Sequence, residues 1–214
     1  MIFRLDKCLL FPDPTLAEPD GLLAVGGDLS VERLLLAYQN GIFPWYSDET
    51  PILWYSPHQR FVLYPSELKI SKSMRQVLRS GKFKITTNQC FEKVIDACSI
   101  IEREGQDGTW ITGDMKTAYI NLYRQGHAQS VEVWESGELV GGLYGVKAGS
   151  VFCGESMFSK VSNASKTALI YLCNTGDYNL IDCQVYTEHL ETMGARMIDR
   201  KEYLAMLQNS TGKD

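Results

Sequence analysis

The fold turns on residues 129–153, QSVEVWESGELVGGLYGVKAGSVFC. Ser130, Glu132 and Trp134 alternate with Val131 and Val133, the period-two pattern of a half-buried strand. Ser136-Gly137 is a tight-turn pair, Leu139 to Val146 reads as a second strand, and Ala148-Gly149 turns the chain once more into Val151 to Cys153. Two such turns in succession predict an antiparallel meander. The pattern then changes to a helix over about 163–173, an apolar strand from Leu180 to Val185, a short helix near His189 and a last helix from Arg200 to Gln208. Strands first paired by hairpins and then joined through a helix predict a mixed sheet, an α+β (mixed α/β) fold.

Working back toward the amino terminus, Asp114 to Arg124 reads as a helix. Asn88 is placed to cap another, Phe83 to Thr87 reads as a strand, and Ser71 is placed to cap a helix that runs through Arg79 and ends at Gly81. All seven prolines lie before residue 66. That part is expected to be loop-rich, with one helix capped by Ser30, carrying Leu34-Leu35-Leu36-Ala37 and stopped at Gly41. The chain therefore divides into a small amino-terminal domain, 1–58, and a larger one, 59–214.

With 214 residues, 44% hydrophobic and 22% charged, the chain can bury a sizeable core. No run approaches the roughly 18 to 20 apolar residues of a membrane helix, and the start lacks the apolar core of a signal peptide. A cytoplasmic protein with no membrane partner is expected. Cys8, Cys90, Cys98, Cys153, Cys173 and Cys183 form no Cys-x-x-Cys pair and read as free thiols. His58, His127 and His189 stand at ligand spacing from no cysteine and no other histidine, so a metal site is not expected; the chain is read as free of cofactors.

A net charge of −5 argues against simple coating of a nucleic acid, yet the charge is unevenly spread. Lys69, Lys72, Arg75, Arg79, Lys82 and Lys84 form a run without an acidic residue. Lys72, Arg75 and Arg79 share one helix face, while Met74, Val77 and Leu78 are expected to turn inward. A solvated face and a phosphate-contacting one both satisfy this pattern. Tyr38, Phe43, Trp45, Tyr46, Trp54, Tyr55, Phe61 and Tyr64 crowd the preceding segment, as core or as stacking platforms for unpaired bases. Val140-Gly141-Gly142-Leu143-Tyr144-Gly145-Val146 is a glycine-thinned strand that something approaches closely, or a bulge.

Two apolar strands carry polar groups, Cys153-Gly154-Glu155-Ser156 and Ile181-Asp182-Cys183-Gln184-Val185. Simple alternation puts Asp182 and Gln184 on one sheet face. A carboxylate there needs a partner or a raised pKa. A structural Asp satisfied by its surroundings and an acid/base with an amide beside it both fit.

Six segments together resemble the bacterial leucyl/phenylalanyl-tRNA–protein transferases: Glu18 to Ser30 with its Val25-Gly26-Gly27-Asp28, Tyr38 to Trp45, Gly108-Thr109-Trp110-Ile111-Thr112, Phe152 to Ser159, Asn163 to Leu169, and Ile181 to Val185. The resemblance spans about Phe11 to Leu204 in consistent order. It implies a GNAT-like acyltransferase domain behind the small amino-terminal one. It further implies transfer of Leu or Phe, and Met less well, from aminoacyl-tRNA to proteins beginning with Arg or Lys, creating a degradation signal without ATP or metal. By the same resemblance Asp182 and Gln184 are the catalytic pair, and Trp45 and Trp110 handle the terminal adenosine. Leu143, Phe152, Glu155, Leu172 and Ile181 form the amino-acid pocket, and the basic run receives the tRNA phosphates. A monomer is expected. Leu143 and Leu172 stand where the family often has Met and Phe. Against the two rival readings, an acetyl-CoA enzyme lacks its pyrophosphate-binding glycine turn here, and a passive RNA-binding module leaves Asp182 and Gln184 unexplained.

Overall fold

The computed structural model describes residues 2–101 and 111–211. In chain order the elements are β1 (Phe3–Leu5), β2 (Leu22–Gly26), α1 (Val31–Gln39), β3 (Phe43–Pro44), β4 (Leu53–Tyr55), β5 (Gln59–Leu63), α2 (Lys72–Arg79), β6 (Lys84–Thr87) and α3 (Phe91–Ser99). There follow α4 (Gly113–Arg124), β7 (Ala128–Glu135), β8 (Glu138–Ala148), β9 (Val151–Ser159), α5 (Ala164–Asn174), β10 (Leu180–Gln184), α6 (Glu188–Thr192), β11 (Arg196–Asp199) and α7 (Arg200–Thr211). The strands form a four-stranded sheet, β1-β2-β4-β3, and a seven-stranded one, β11-β5-β10-β9-β8-β7-β6. The larger sheet is mixed, because β10 runs parallel to β9 while its other neighbours pair antiparallel. This is the α+β fold that the meander-then-helix pattern predicts.

The meander forms as read, with Ser136 and Gly137 both at positive φ in the first turn and Gly149 in the second. β9 runs six residues past the predicted end at Cys153. β7 differs from the half-buried expectation: Ser130, Val131, Glu132 and Val133 are all fully buried. The reason is that α3 and α4 pack on one face of the sheet and α5 on the other. Glu132 is tolerated inside because Thr86 and Ser130 donate their hydroxyls to it, each at 2.6 Å. A polar residue that is satisfied by its neighbours looks, in sequence, like one that faces water.

Three local expectations are corrected. Asn88 does not cap α3: it sits at φ +57 and its side chain accepts from the Ser130 amide at 2.9 Å, so the helix begins three residues later behind Cys90. Leu78 is exposed, and Met74 alone on α2 is fully buried. Ser30 occupies the N-cap of α1 but donates its hydroxyl to Asp28 and makes no cap bond. By contrast, Ser71 caps α2 by accepting from the Met74 amide at 3.1 Å. The amino-terminal lobe also holds four short strands that no alternation announced, since strands of two to five residues are too brief to display a period.

Glycines of β8 let the sheet close on its neighbours. A Cβ at Gly145 would lie 2.2 Å from the Cys153 carbonyl and 2.6 Å from the Phe152 ring, at a point where the β8–β9 register shifts. One at Gly141 would lie 2.5 Å from the Cβ of Ala164 on α5. Both the bulge and the close approach that the sequence left as alternatives are therefore present.

Candidate active site

β10 pairs with β9 only from Leu180↔Val151 to Asp182↔Cys153, after which the register on its other side, against β5, is broken by a bulge between Asp182 and Gln184. Where two neighbouring strands part, side chains from both faces of a sheet can border one space. A pocket of about 510 Å³ opens there. Leu143, Phe152, Leu169, Leu172, Ile181 and Leu190 supply its apolar wall from the α5 face, and Glu155, Asp182 and Gln184 its polar border. The five residues expected to form an amino-acid pocket thus lie together with the expected catalytic pair. Trp45 stands at the same pocket, exposed and tilted against Tyr55 with ring centroids 5.8 Å apart. Trp110 lies outside the described residues. Val185 and Tyr186, both exposed, complete the border.

Glu155 is buried and is approached from three sides. Tyr38 of α1 donates to its Oε1 at 2.7 Å, Gln184 Nε2 donates to the same oxygen at 2.8 Å, and Tyr119 of α4 donates to Oε2 at 2.8 Å. The two tyrosine hydroxyls also touch each other. Burial dominates and lifts the carboxyl to about 7, against the lowering effect of the bonds from Tyr38, Tyr119 and Gln184; the nearby Asp182 adds to the rise. Both tyrosine hydroxyls are held well above 10, by burial first and by Glu155 second.

Asp182 is wholly buried and fully engaged. Its Oδ1 accepts from Arg60 Nε at 2.9 Å and from the Gln184 amide at 2.9 Å; its Oδ2 accepts from Arg60 Nη2 at 2.7 Å and from the Tyr203 hydroxyl at 2.7 Å. Gln184 adopts φ +62, in the left-handed region where a side chain other than Gly, Asn or Asp is uncommon. A bulge lies between the two residues, so simple alternation does not place their side chains: Asp182 meets Arg60 and Tyr203, and Gln184 meets Glu155. The bulge reorients Gln184 and brings its side chain to Glu155.

The cationic run lies elsewhere, on α2 and the edge strand β6. Lys72, Arg75 and Arg79 are exposed, and among the described residues no carboxylate pairs with them, whereas Lys82 reaches Glu135 at 3.4 Å. Of the aromatic segment, Tyr38, Phe43, Trp54 and Phe61 are buried core. Sequence reasoning missed Arg60, Tyr119, Tyr203 and His189. The first three stand 21 to 122 residues from their partners, beyond any local pattern. His189 also lines the pocket, its ring lowered below the usual range by burial and then by Lys166. Among the described residues no group of three His, Cys, Asp or Glu side chains lies close enough to hold a metal, and no helix is long and apolar enough to cross a membrane.

Residues 62–208 match the family model described as leucyl/phenylalanyl-tRNA protein transferase, and residues 27–58 match the model of that family's N-terminal domain. The chain belongs to this family. It is 57% identical to the leucyl/phenylalanyl-tRNA–protein transferase of Syntrophobacter fumaroxidans over 96% of its own length and 89% of that protein's. It is 54% identical to that of Flavobacterium johnsoniae over 97% of its length and 100% of the relative's, and 56% identical to that of Christiangramia forsetii over 92% and 95%. Membership makes the chain an enzyme of the transferase class. The family model covering residues 62–208 contains every element of the pocket apart from Trp45 and its neighbours Phe43 and Pro44.

Proposed function

We propose that this enzyme transfers Leu or Phe, and Met less well, from aminoacyl-tRNA to the α-amine of proteins beginning with Arg or Lys, creating a degradation signal. The observation that carries the reading is the pocket itself: an apolar wall ends directly at a buried Glu155–Gln184 contact. Such a site suits a large apolar side chain whose carbonyl carbon lies at the polar border. An aminoacyl ester is already activated, so the task is to hold ester and amine together; orientation alone is worth up to about 7 to 11 kcal/mol. Neither ATP nor a metal is required for that step.

In this reading Leu143, Phe152, Leu172 and Ile181 receive the amino-acid side chain, and Trp45, with Trp110, receives the terminal adenosine. Gln184 holds the amine or the carbonyl. Glu155, with a carboxyl near 7, is matched to take or hold a proton of the attacking α-amine, whose reference pKa is about 7.7 to 8.0. The saturated hydrogen bonding of Asp182 supports a positioning role in place of direct proton abstraction. Lys69, Lys72, Arg75, Arg79, Lys82 and Lys84 take the tRNA phosphates. We further propose a boundary between the lobes near residue 58, a monomer, and a cytoplasmic location. The test is labelled Leu-tRNA or Phe-tRNA mixed with one protein beginning with Arg and with the same protein beginning with Ala, without ATP or CoA. Label on the first and not the second is expected. A requirement for ATP or CoA would overturn the reading.

A further inference from the structure

We infer that Arg60 and Tyr203 are positioning residues for the transfer, acting on Gln184 through the carboxylate of Asp182. The inference rests on the reading above in which Gln184 faces the reacting groups. Arg60, on β5, is fully buried and does not border the pocket, so it touches no substrate. Its guanidinium is nonetheless fixed from every side. The fork onto Asp182 takes Nε and Nη2, Nη1 donates to the Gly41 carbonyl at 3.2 Å, and the group lies over the rings of Phe43 at 4.6 Å and Tyr203 at 4.7 Å. Gly41 and Phe43 belong to the amino-terminal lobe, Tyr203 to α7, and Asp182 to β10. One side chain therefore ties three parts of the molecule to a single carboxylate.

A buried ion pair is a poor device for stability alone, since apolar side chains of similar volume usually serve as well or better. Here the pair has a specific output. A carboxylate offers about four lone-pair sites, and Asp182 uses three of its bonds to be held, two from Arg60 and one from Tyr203. The fourth accepts the amide of Gln184. That bond closes the bulge and keeps Gln184 at φ +62, a conformation that persists only when its surroundings impose it. From there the Gln184 amide side chain reaches Glu155 at 2.8 Å. Loosen the carboxylate and the side chain at the pocket border loses its anchor, while the apolar wall that holds the amino acid stays in place.

A double-variant cycle tests this on the full chain, using Arg60→Lys and Gln184→Asn. Lysine keeps the charge but loses the fork; asparagine tolerates positive φ but is one methylene too short to make the Glu155 contact. Arg60→Lys should lower kcat about 10- to 100-fold, the scale of an ångström's misplacement, with KM for aminoacyl-tRNA within about twofold. In the Gln184→Asn background the same change should cost nothing further, because the group it positions is already out of reach. Equal losses in both backgrounds, or an unchanged kcat for Arg60→Lys, would overturn the inference. Normal activity of Gln184→Asn alone would instead remove the reading of Gln184, and with it this inference. Should Arg60→Lys fail to fold, Tyr203→Phe keeps the ring over Arg60 and removes one bond to Asp182. It should reduce kcat severalfold in the parent and leave the Gln184→Asn enzyme unchanged; an equal loss in both backgrounds refutes the positioning role.

Discussion

Replacing Glu155 by Gln should change how the stability of this protein depends on pH. In the fold the carboxyl is raised from its ordinary 4.5 to about 7, chiefly by burial. The folded chain therefore binds this proton more tightly than the unfolded chain does. Its stabilising contribution is complete below about pH 4.5 and is lost as the pH rises through 7. A shift from 4.5 to about 7 at 1.36 kcal/mol per unit corresponds to about 3 kcal/mol. The glutamine side chain in Glu155→Gln would keep an oxygen for the bonds from Tyr38 and Gln184 but never ionise. Urea unfolding at about pH 5 and about pH 8 should show the parent losing about 2 to 3 kcal/mol more than Glu155→Gln across the interval, since part of the loss has already occurred by pH 5; this is a large fraction of the 5–15 kcal/mol typical of a folded domain. The other ionisable groups around it, Tyr38, Tyr119 and Asp182, are present in both proteins and cancel in the difference. Parallel stability curves would mean that Glu155 ionises at its ordinary pKa despite its burial, and would remove it as a proton acceptor near neutral pH.

Changing Lys72, Arg75 and Arg79 together to Ala should weaken binding to all tRNA sequences alike and flatten its salt dependence, by about 0.7 to 0.9 in slope per lost phosphate contact; an unchanged slope returns these residues to a merely solvated face. If Leu143 and Leu172 border the amino-acid side chain as proposed, in place of larger residues, Phe should be transferred at least as well as Leu; a methylene discriminates by only about 1 to 3 kcal/mol. Transfer of Val and Ile at comparable rates would mean that these residues do not form the amino-acid pocket, and Leu172→Phe should selectively reduce transfer of Phe. Gly145→Ala forces a Cβ toward the Cys153 carbonyl and the Phe152 ring, so thermal unfolding should report a loss of at least about 1 to 3 kcal/mol; a melting temperature within a degree of the parent's would contradict the close approach.

The fold was legible where elements are long and locally signed. The Ser136-Gly137 and Ala148-Gly149 turns, the Ser71 cap and the glycines of β8 each carry their reason within a few residues. The polar pair of β10 was visible as chemistry out of place, and Glu155 as its companion on β9. What the sequence could not display is pairing across distance. Asp182 with its nearest charge 122 positions away, Glu155 with hydroxyls from α1 and α4, and Glu132 satisfied inside the sheet all depend on which strands become neighbours. Alternation alone does not place Gln184, because a bulge between it and Asp182 breaks the strict period of the strand. Asn88 misled for a related reason: a residue suited to capping is equally suited to a positive φ, and the tertiary bond to Ser130 decided between them.

The most direct measurement is the intact mass of a protein beginning with Arg after incubation with Phe-tRNA and this enzyme alone, followed in time for the parent and for Gln184→Asn. One added Phe residue at the α-amine is expected with the parent enzyme, and a rate lower by about 10²-fold or more with the variant, at nearly unchanged affinity for the charged tRNA. An acceptor left at its original mass by the parent, or equal rates from the two enzymes, would contradict the proposed function.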